Sequence, residues 1–434
     1  MDTAYIIVNI HDVACAMQPF LMAICVIVNW IDLWFNDRRF MNILLLAPHP
    51  FYQERGTPIA VNLLLHALSA QGHCVDMLTY HEGDDVAHPG VTLYRIKRPY
   101  FVHGVPPGPS LKKILCDLAM YPQALRMARD GHYDLVHAVE ESVYMAMAIK
   151  RRWGTPYLYD MDSSLARQIA EKFPFLKGLL PLMNRAERAA IRGALVVVPV
   201  CDALADIAQA DGAGKVALLR DISLLKPSSP EATDAVRHLI PPDPRLCFMY
   251  IGNLETYQGA DLMLDSFAKF VRDGGRARLV IAGGKMTDIE KYRAHASDLG
   301  VSRDVLFLGH QPVGRMAALF EHADVLLSPR IRGNNTPMKI YSYLASGKAV
   351  LATALPTHTQ VLTSTVALLA PPEVNAFAAA MLRLADDAVL RNTLGRNSRE
   401  LAERSYSLKA FEKAAQELYA WVENELIRLK GSVQ

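Results

Sequence analysis

The sequence predicts an α/β chain of two doubly wound, Rossmann-like domains facing a cleft. Three observations carry this. From Met41 onward, short and wholly apolar runs alternate with helix-length segments, the rhythm of parallel strands covered on both faces. A polar stretch with prolines over residues 226–244 (KPSSPEATDAVRHLIPPDP) interrupts that rhythm, which restarts at Leu246. The length of 434 residues exceeds a single small module and fits two or three domains at about 150 residues each.

In chain order, the first domain (41–225) opens with a strand at Asn42 to Ala47, a helix at Ile59 to Ala70 and a strand at Cys74 to Thr79. Further apolar runs follow at Leu135 to Ala138, Tyr157 to Tyr159 and Leu195 to Val198. Residues 226–244 form the linker. The second domain (245–405) repeats the scheme with strands at Leu246 to Ile251, Arg278 to Ala282, Val305 to Leu308, Val325 to Ser328, Ala349 to Ala352 and Ala367 to Leu369. The last segment (406–434) holds a helix at Leu408 to Lys430 with no strand after it, expected to pack across the outside of the pair. Ligands of open α/β sheets bind beyond the carboxyl ends of the strands, so each domain offers one wall of a cleft.

Residues 1–40 stand apart. Val13 to Trp34 is mostly apolar but carries Gln18, Asn29 and Asp32, and Arg38 and Arg39 follow it. About 20 apolar residues can span a bilayer, and the arginines would leave the rest of the chain in the cytoplasm. A start-site artefact at Met41, an unstructured extension and an interfacial helix are the alternatives; no basic segment precedes the apolar one as in a cleaved signal peptide.

Composition narrows the function. Hydrophobic residues make up 51% and charged residues 21%, as in ordinary folded chains. A net charge of +2, from 46 basic and 44 acidic residues, speaks against a nucleic-acid binder, so any anion site must be local. The six cysteines are scattered, with no Cys-x-x-Cys pair and no histidine cluster at zinc spacing; they read as reduced thiols of a cytoplasmic protein without a metal site.

Two helix starts carry chemistry. After the first strand, Gly56-Thr57-Pro58 suggests Thr57 as N-cap and Pro58 as first helical residue, leaving backbone N–H groups to face an anion or sugar hydroxyls. The same design recurs at Gly333-Asn334-Asn335-Thr336-Pro337-Met338-Lys339. A lysine in a first helical turn is disfavoured by the helix dipole unless an anion is bound, and Arg330 and Arg332 lie just upstream; the loop reads as a diphosphate cradle. On the first domain, Asp134 to Glu141 (DLVHAVEE) and Tyr159 to Ser164 (YDMDSS) are strand ends carrying His137, Asp160 and Asp162. A hydrogen-bonded strand-end histidine and a helix N-cap are the structural alternatives for His137 and Asp162.

Gly252-Asn253-Leu254, Gln258-Gly259-Ala260-Asp261, Ala323-Asp324-Val325 and Tyr343 to Val350 (YLASGKAV) resemble the donor domain of family 4 retaining glycosyltransferases of the GT-B fold, over about residues 41–425. The resemblance implies transfer of a sugar from a nucleotide diphosphate-sugar to an acceptor hydroxyl, with retention and without metal or other cofactor. It assigns the donor to Gly252, Asn253, Gln258, Asn334 and Ser342, beside Arg330, Asn335, Thr336 and Lys339 of the cradle read above, and the transferred sugar or acceptor to His137, Asp160 and Asp162, with Gly56 and Thr57 keeping the N-terminal loop role read from the first helix start. The chain departs from the family at four positions: Asn253 and Gln258 stand where cations are usual, and Asn334 and Ser342 where paired glutamates are usual. A non-catalytic nucleotide-sugar-binding subunit, or another GT-B enzyme such as an epimerase, therefore stays open; hydride transfer is disfavoured because the first strand turn lacks Gly-x-Gly-x-x-Gly.

Arg167 to Arg192 holds six basic and two acidic residues beside Phe173, Phe175, Leu176, Leu179 and Leu180. Such a segment is either a pair of helices with solvated charges or a surface for an anionic leaflet. The partners expected are a nucleotide-sugar donor, a glycan or lipid-linked acceptor and a membrane surface, with the protein acting in cell-envelope or exported polysaccharide synthesis at the inner face of the membrane.

Overall fold

The computed structural model describes residues 40–431 apart from 55, 107, 224, 334 and 335. The N-terminal extension, Asn334 and Asn335 thus lie outside the described residues.

The first domain runs β1 (Asn42–Ala47), α1 (Gly56–Ala70), β2 (Cys74–Thr79), β3 (Val91–Arg95), α2 (Leu111–Asp130), β4 (Leu135–Val139), α3 (Val143–Trp153), β5 (Tyr157–Met161), α4 (Leu165–Lys172), α5 (Leu180–Gly193), β6 (Val196–Pro199) and α6 (Asp202–Ala210). The second runs α7 (Pro230–Leu239), β7 (Leu246–Ile251), α8 (Ala260–Arg272), β8 (Ala277–Ala282), α9 (Met286–Asp298), β9 (Val305–Gly309), α10 (Met316–Glu321), β10 (Val325–Ser328), α11 (Lys339–Ser346), β11 (Ala349–Thr353), α12 (Pro356–Thr359), β12 (Leu368–Ala370), α13 (Val374–Asp386) and α14 (Ala388–Ser405), and α15 (Leu408–Gly431) closes the described chain.

The strand orders are β3-β2-β1-β4-β5-β6 and β12-β11-β10-β7-β8-β9, all parallel, so the two domains repeat one doubly wound scheme. The topological switch points fall between β1 and β4 and between β7 and β10, which places the loops after these strands where ligands bind. Strands β4 and β11 are buried at every residue, because helices cover both sheet faces.

Three features differ from the sequence reading. Strand β3 alternates between partly buried and exposed residues at the sheet edge, so it lacks the apolar run that marks its neighbours. Residues 226–244 are not all linker: Ser229 caps α7, Pro230 takes its first turn, and Val236 and Ile240 are buried in the second domain's core. Helix α15 does not straddle the two domains. Phe411, Ala415, Leu418, Tyr419, Val422 and Leu426 pack into the first domain's core against α1, and Lys430 Nζ lies 2.9 Å from Asp134 Oδ1. The chain therefore crosses between domains twice, and the Ser223 N–H donates to the Tyr406 carbonyl to tie the crossings together.

Candidate active site

The first domain's wall of the cleft is acidic. Asp160 and Asp162 stand at the end of β5, Glu140 at the end of β4, and Asp221 on the segment leaving the domain. Burial raises Asp162 well above the usual carboxylate range; Asp160, Glu140 and Asp221 add to the shift, and the Thr57 hydroxyl, hydrogen-bonded to Asp162, opposes it. Burial and then Asp160 push Asp221 up to about 7. Asp162 and Asp221 are therefore held toward their protonated forms, which can donate as well as accept hydrogen bonds.

Thr57 does not cap its own helix. Helix α1 begins at Gly56, and the Thr57 hydroxyl is spent on Asp162. Asp162 in turn does not cap α4, which starts after Ser164: the Ser164 Oγ and the Leu165 N–H donate to the two oxygens of buried Glu187 at 2.8 and 2.9 Å.

His137 is fully buried and lies beneath the cleft floor, not in it. Its Nε2 is 3.1 Å from Asp160 Oδ2 and its Nδ1 2.5 Å from the Tyr419 hydroxyl of α15. A ring nitrogen facing a carboxylate must carry the proton, so a neutral ring accepts at Nδ1 from the phenol. His137 thus supports Asp160 from below with no surface open to the cleft, a place that suits a positioning residue and not the direct contact expected of it.

Beside this wall a cavity of about 220 Å³ is lined by His49, Gly56, Thr57, Tyr80, Lys113 and Glu140, among others. Lys113 Nζ sits between Glu140 at 3.1 Å and Glu141 at 2.7 Å, and the Tyr80 hydroxyl donates to Asp117. Burial outweighs Lys113 and pushes Glu141 up to about 8, and burial likewise pushes Asp117 up to about 6.

The opposite wall is basic. Lys339 opens α11, and its Nζ is shut off from solvent without a hydrogen-bond partner among the described residues, 4.0 Å from the centre of the Tyr250 ring. Burial, with Arg330 beside it, lowers its pKa to about 7. Arg330 lies over the Tyr257 ring at 5.1 Å and donates to Thr357 Oγ1, and burial lowers its pKa too. His358, hydrogen-bonded to Ser328 at 2.8 Å, is held down to about 4 by burial, with Lys339 and Arg330 pushing the same way. Lys339 and Arg330, with a neutral His358 behind them, therefore converge where positive charge is costly, a cost that a bound anion would relieve.

Glycines bring the backbone to that point. A Cβ on Gly252 would lie 3.3 Å from Lys339 Nζ, and one on Gly283 would strike the Gly252 carbonyl. Gly259, at φ 75°, lets the turn before α8 press against the Pro329 carbonyl. Gln258 is partly buried there, Asn253 is exposed, and Ser342 lies one turn along α11 from Lys339. Helix α11 starts at Lys339 and not at Thr336, so Thr336 is a buried residue of the preceding turn and not its N-cap.

Family comparisons fit this geometry. Residues 55–220 match the model of the glycosyl transferase 4-like domain, and residues 233–401 that of glycosyl transferases group 1. The chain belongs to the group 1 glycosyltransferases. This glycosyltransferase is 27% identical over 225 residues to D-inositol 3-phosphate glycosyltransferase of Acidothermus cellulolyticus, a match covering 48% of the chain and 49% of that protein. The same-named protein of Nocardia farcinica is 26% identical over 253 residues, covering 51% of each. The chain thus spans about half the length of these relatives. Among solved structures, sucrose-phosphate synthase from Thermosynechococcus elongatus superposes with a TM-score of 0.70 at 20% identity, covering 89% of this glycosyltransferase and 100% of that chain. HepE from Anabaena in complex with UDP gives 0.68 at 15% identity, covering 88% and 100%. These likenesses show the two-domain GT-B fold.

Four contributors escaped the sequence reading: Asp221, Glu187, Tyr419 and His358. Each is brought in by the fold from far along the chain. His358 alone had a local cue, a histidine closely following the strand end at Thr353.

Proposed function

We propose that this protein is a retaining glycosyltransferase that moves a sugar from a nucleotide diphosphate-sugar to an acceptor hydroxyl, in envelope or exported polysaccharide synthesis at the inner face of a membrane. The observation that carries the donor reading is the enclosed Lys339 amino group, without a hydrogen-bond partner among the described residues, beside Gly252, with Arg330 and His358 behind it. A diphosphate supplies the negative charge this pocket lacks. Lys339, Arg330 and backbone N–H groups would stabilise the charge that builds on the leaving diphosphate, preorganised donors being the largest electrostatic contribution in most active sites. Departure of the diphosphate and front-face attack by the acceptor hydroxyl occur on one side of the sugar; Asp160 and Asp162 orient hydroxyls from the opposite wall. The acceptor lies in the cavity lined by Thr57, Lys113 and Glu140.

Calorimetric titration with UDP, GDP and ADP, followed by assay of the matching nucleotide-sugars for transfer or slow hydrolysis, tests the reading. Micromolar binding with turnover supports it. The serine at 342 favours one rival, a binding subunit, and binding without turnover of any donor would establish that rival. Absence of all nucleotide binding would overturn both.

A further inference from the structure

The cavity at the carboxyl ends of β1 and β4 is small. Its volume of about 220 Å³ lies below the roughly 300 to 1,000 Å³ of pockets that take drug-sized ligands, so it suits a single ring. Lys113 of α2 and Glu140 are the charged residues among the described ones that line it, and His49 turns its Nδ1–H to the Pro50 carbonyl of its own loop. Prolines, a valine and glycines make up most of the remaining wall, with the hydroxyls of Thr57 and Tyr80 among them.

The cation of this cavity is already matched. Lys113 Nζ lies 3.1 Å from Glu140 Oε2 and 2.7 Å from Glu141 Oε1, all three side chains are mostly enclosed, and Asp117 one turn along α2 attracts the same ammonium. Burial pushes Glu141 up to about 8; with that carboxyl protonated, Glu140 still balances the lysine. At the start of α1 the Thr57 hydroxyl is hydrogen-bonded to the Asp162 carboxyl, and Asp160 and Asp221 continue the same wall. An acceptor phosphate entering here would be buried among carboxyl groups without a countercharge of its own, which is costly. Hydroxyl groups face no such cost. The buried Ser142 hydroxyl bridges the carbonyls of Leu46 and Val139, so the turn after β4 is fixed against the end of β1, and Glu140 stands in it at a left-handed φ of 50°. A carboxylate offers about four lone-pair sites, of which Lys113 takes one.

We propose that this cavity selects an unphosphorylated polyol ring as acceptor, with Glu140 accepting hydrogen bonds from its hydroxyls and turning a phosphate away. The proposal rests on the glycosyltransferase reading above and adds to it the class of acceptor. The similar proteins of Acidothermus and Nocardia take their name from D-inositol 3-phosphate, a molecule of the excluded kind.

The full chain, supplied with the nucleotide-sugar that the titration above selects, is assayed for nucleotide release stimulated by two matched pairs of probes: myo-inositol against D-inositol 3-phosphate, and glucose against glucose 6-phosphate. The unphosphorylated member of each pair should have the higher kcat/KM, by about tenfold or more, a comparison that needs no variant. Glu140→Gln keeps the shape and drops the charge. It should raise KM for myo-inositol and glucose about tenfold, narrow the preference within each pair by at least as much, and leave the donor KM unchanged. Should Glu140→Gln lower the melting temperature, Glu140→Asp, which keeps the charge and draws it back from the cavity, should weaken both sugars while phosphate stays refused. A preference for the phosphorylated member of either pair overturns the proposal, as does failure of both unphosphorylated probes to stimulate release, or an unchanged preference in Glu140→Gln. Donor binding and slow hydrolysis, read in the same samples without acceptor, separate the two readings. Donor binding with the wrong acceptor preference removes the acceptor class alone, whereas absence of donor binding removes both.

Discussion

Lys339 is the residue at which fold and ligand disagree most until the ligand arrives. Its pKa of about 7 lies far below the ordinary lysine value of about 10.4, so between these values the unfolded chain holds a proton that the folded one does not. Stability therefore rises as pH climbs through this window, and the penalty is present in full below about pH 7. Lys339→Met should raise the melting temperature, more on the acid side of neutrality than on the alkaline side. The same change should weaken nucleotide diphosphate binding about tenfold to a hundredfold, since a charge-assisted hydrogen bond contributes about 1.5 to 3 kcal/mol and a decade costs about 1.4 kcal/mol. Calorimetry in two buffers of different ionisation heat adds a third check: the wild type should take up a proton on binding above pH 7 and the variant should not. Equal affinity of the two proteins would mean that Lys339 does not meet the diphosphate. A second residue-scale expectation concerns Tyr419→Phe. Loss of the hydrogen bond to His137 frees the ring and so Asp160, which should lower kcat about twofold to tenfold with the donor KM unchanged. A parallel rise in KM, or a fall in melting temperature with kcat intact, would make the contact merely structural.

At the scale of elements, helix α4 depends on a carboxylate from α5. Glu187→Ala would strand the Ser164 hydroxyl and the Leu165 N–H at a buried helix start, at a cost of about 1 to 3 kcal/mol. Chemical denaturation should report that loss, with hydrogen exchange fastest at α4; unchanged exchange there would mean another group takes over the cap. The same helix shows what the sequence could and could not tell. Parallel strands such as LVHAV and LCFMYI announce themselves because both sheet faces are covered and nearly every residue is apolar, His137 excepted. Edge strand β3 (VTLYR) and helix α7 do not, the one because a half-exposed strand alternates, the other because its prolines and polar residues read as linker. Of the candidate site, Lys339, Arg330, Asp160 and Asp162 were legible from their places at strand ends and helix starts. The partners that tune them were not. Glu187 reads as one charge in a basic segment, and Tyr419 as one aromatic in an amphipathic helix, until the fold brings each to its partner over 23 or 282 residues.

On the scale of the whole molecule, an acidic wall faces a basic one, and Asp221 lies close enough to Tyr341 of α11 to raise the pKa of that phenol, after the larger effect of burial. Arg330 and Lys339 would attract the anionic donor through space, so binding should weaken with added salt as well as with Lys339→Met. Every strand of the two described sheets lies at or after Asn42. A chain beginning at Met41 should therefore keep the cooperative unfolding and the nucleotide affinity of the full one. Loss of either would give residues 1–40 a part in the fold.

Helix α15 belongs to the first domain's core yet follows the whole of the second domain in the chain. During synthesis, then, the first sheet is made early but its helical cover over α1 emerges only after about 180 more residues, roughly 10 to 40 s later at ordinary elongation rates. For that interval the surface awaiting Phe411, Leu418 and Val422 is bare, and His137 has no phenol to orient it. The second domain, continuous in sequence, can complete itself meanwhile as an insert within a discontinuous partner. Maturation of the Asp160 site thus waits on the second domain: a free chain truncated after residue 405 should bind nucleotide through its finished second domain while its first domain remains open to protease and to chaperones.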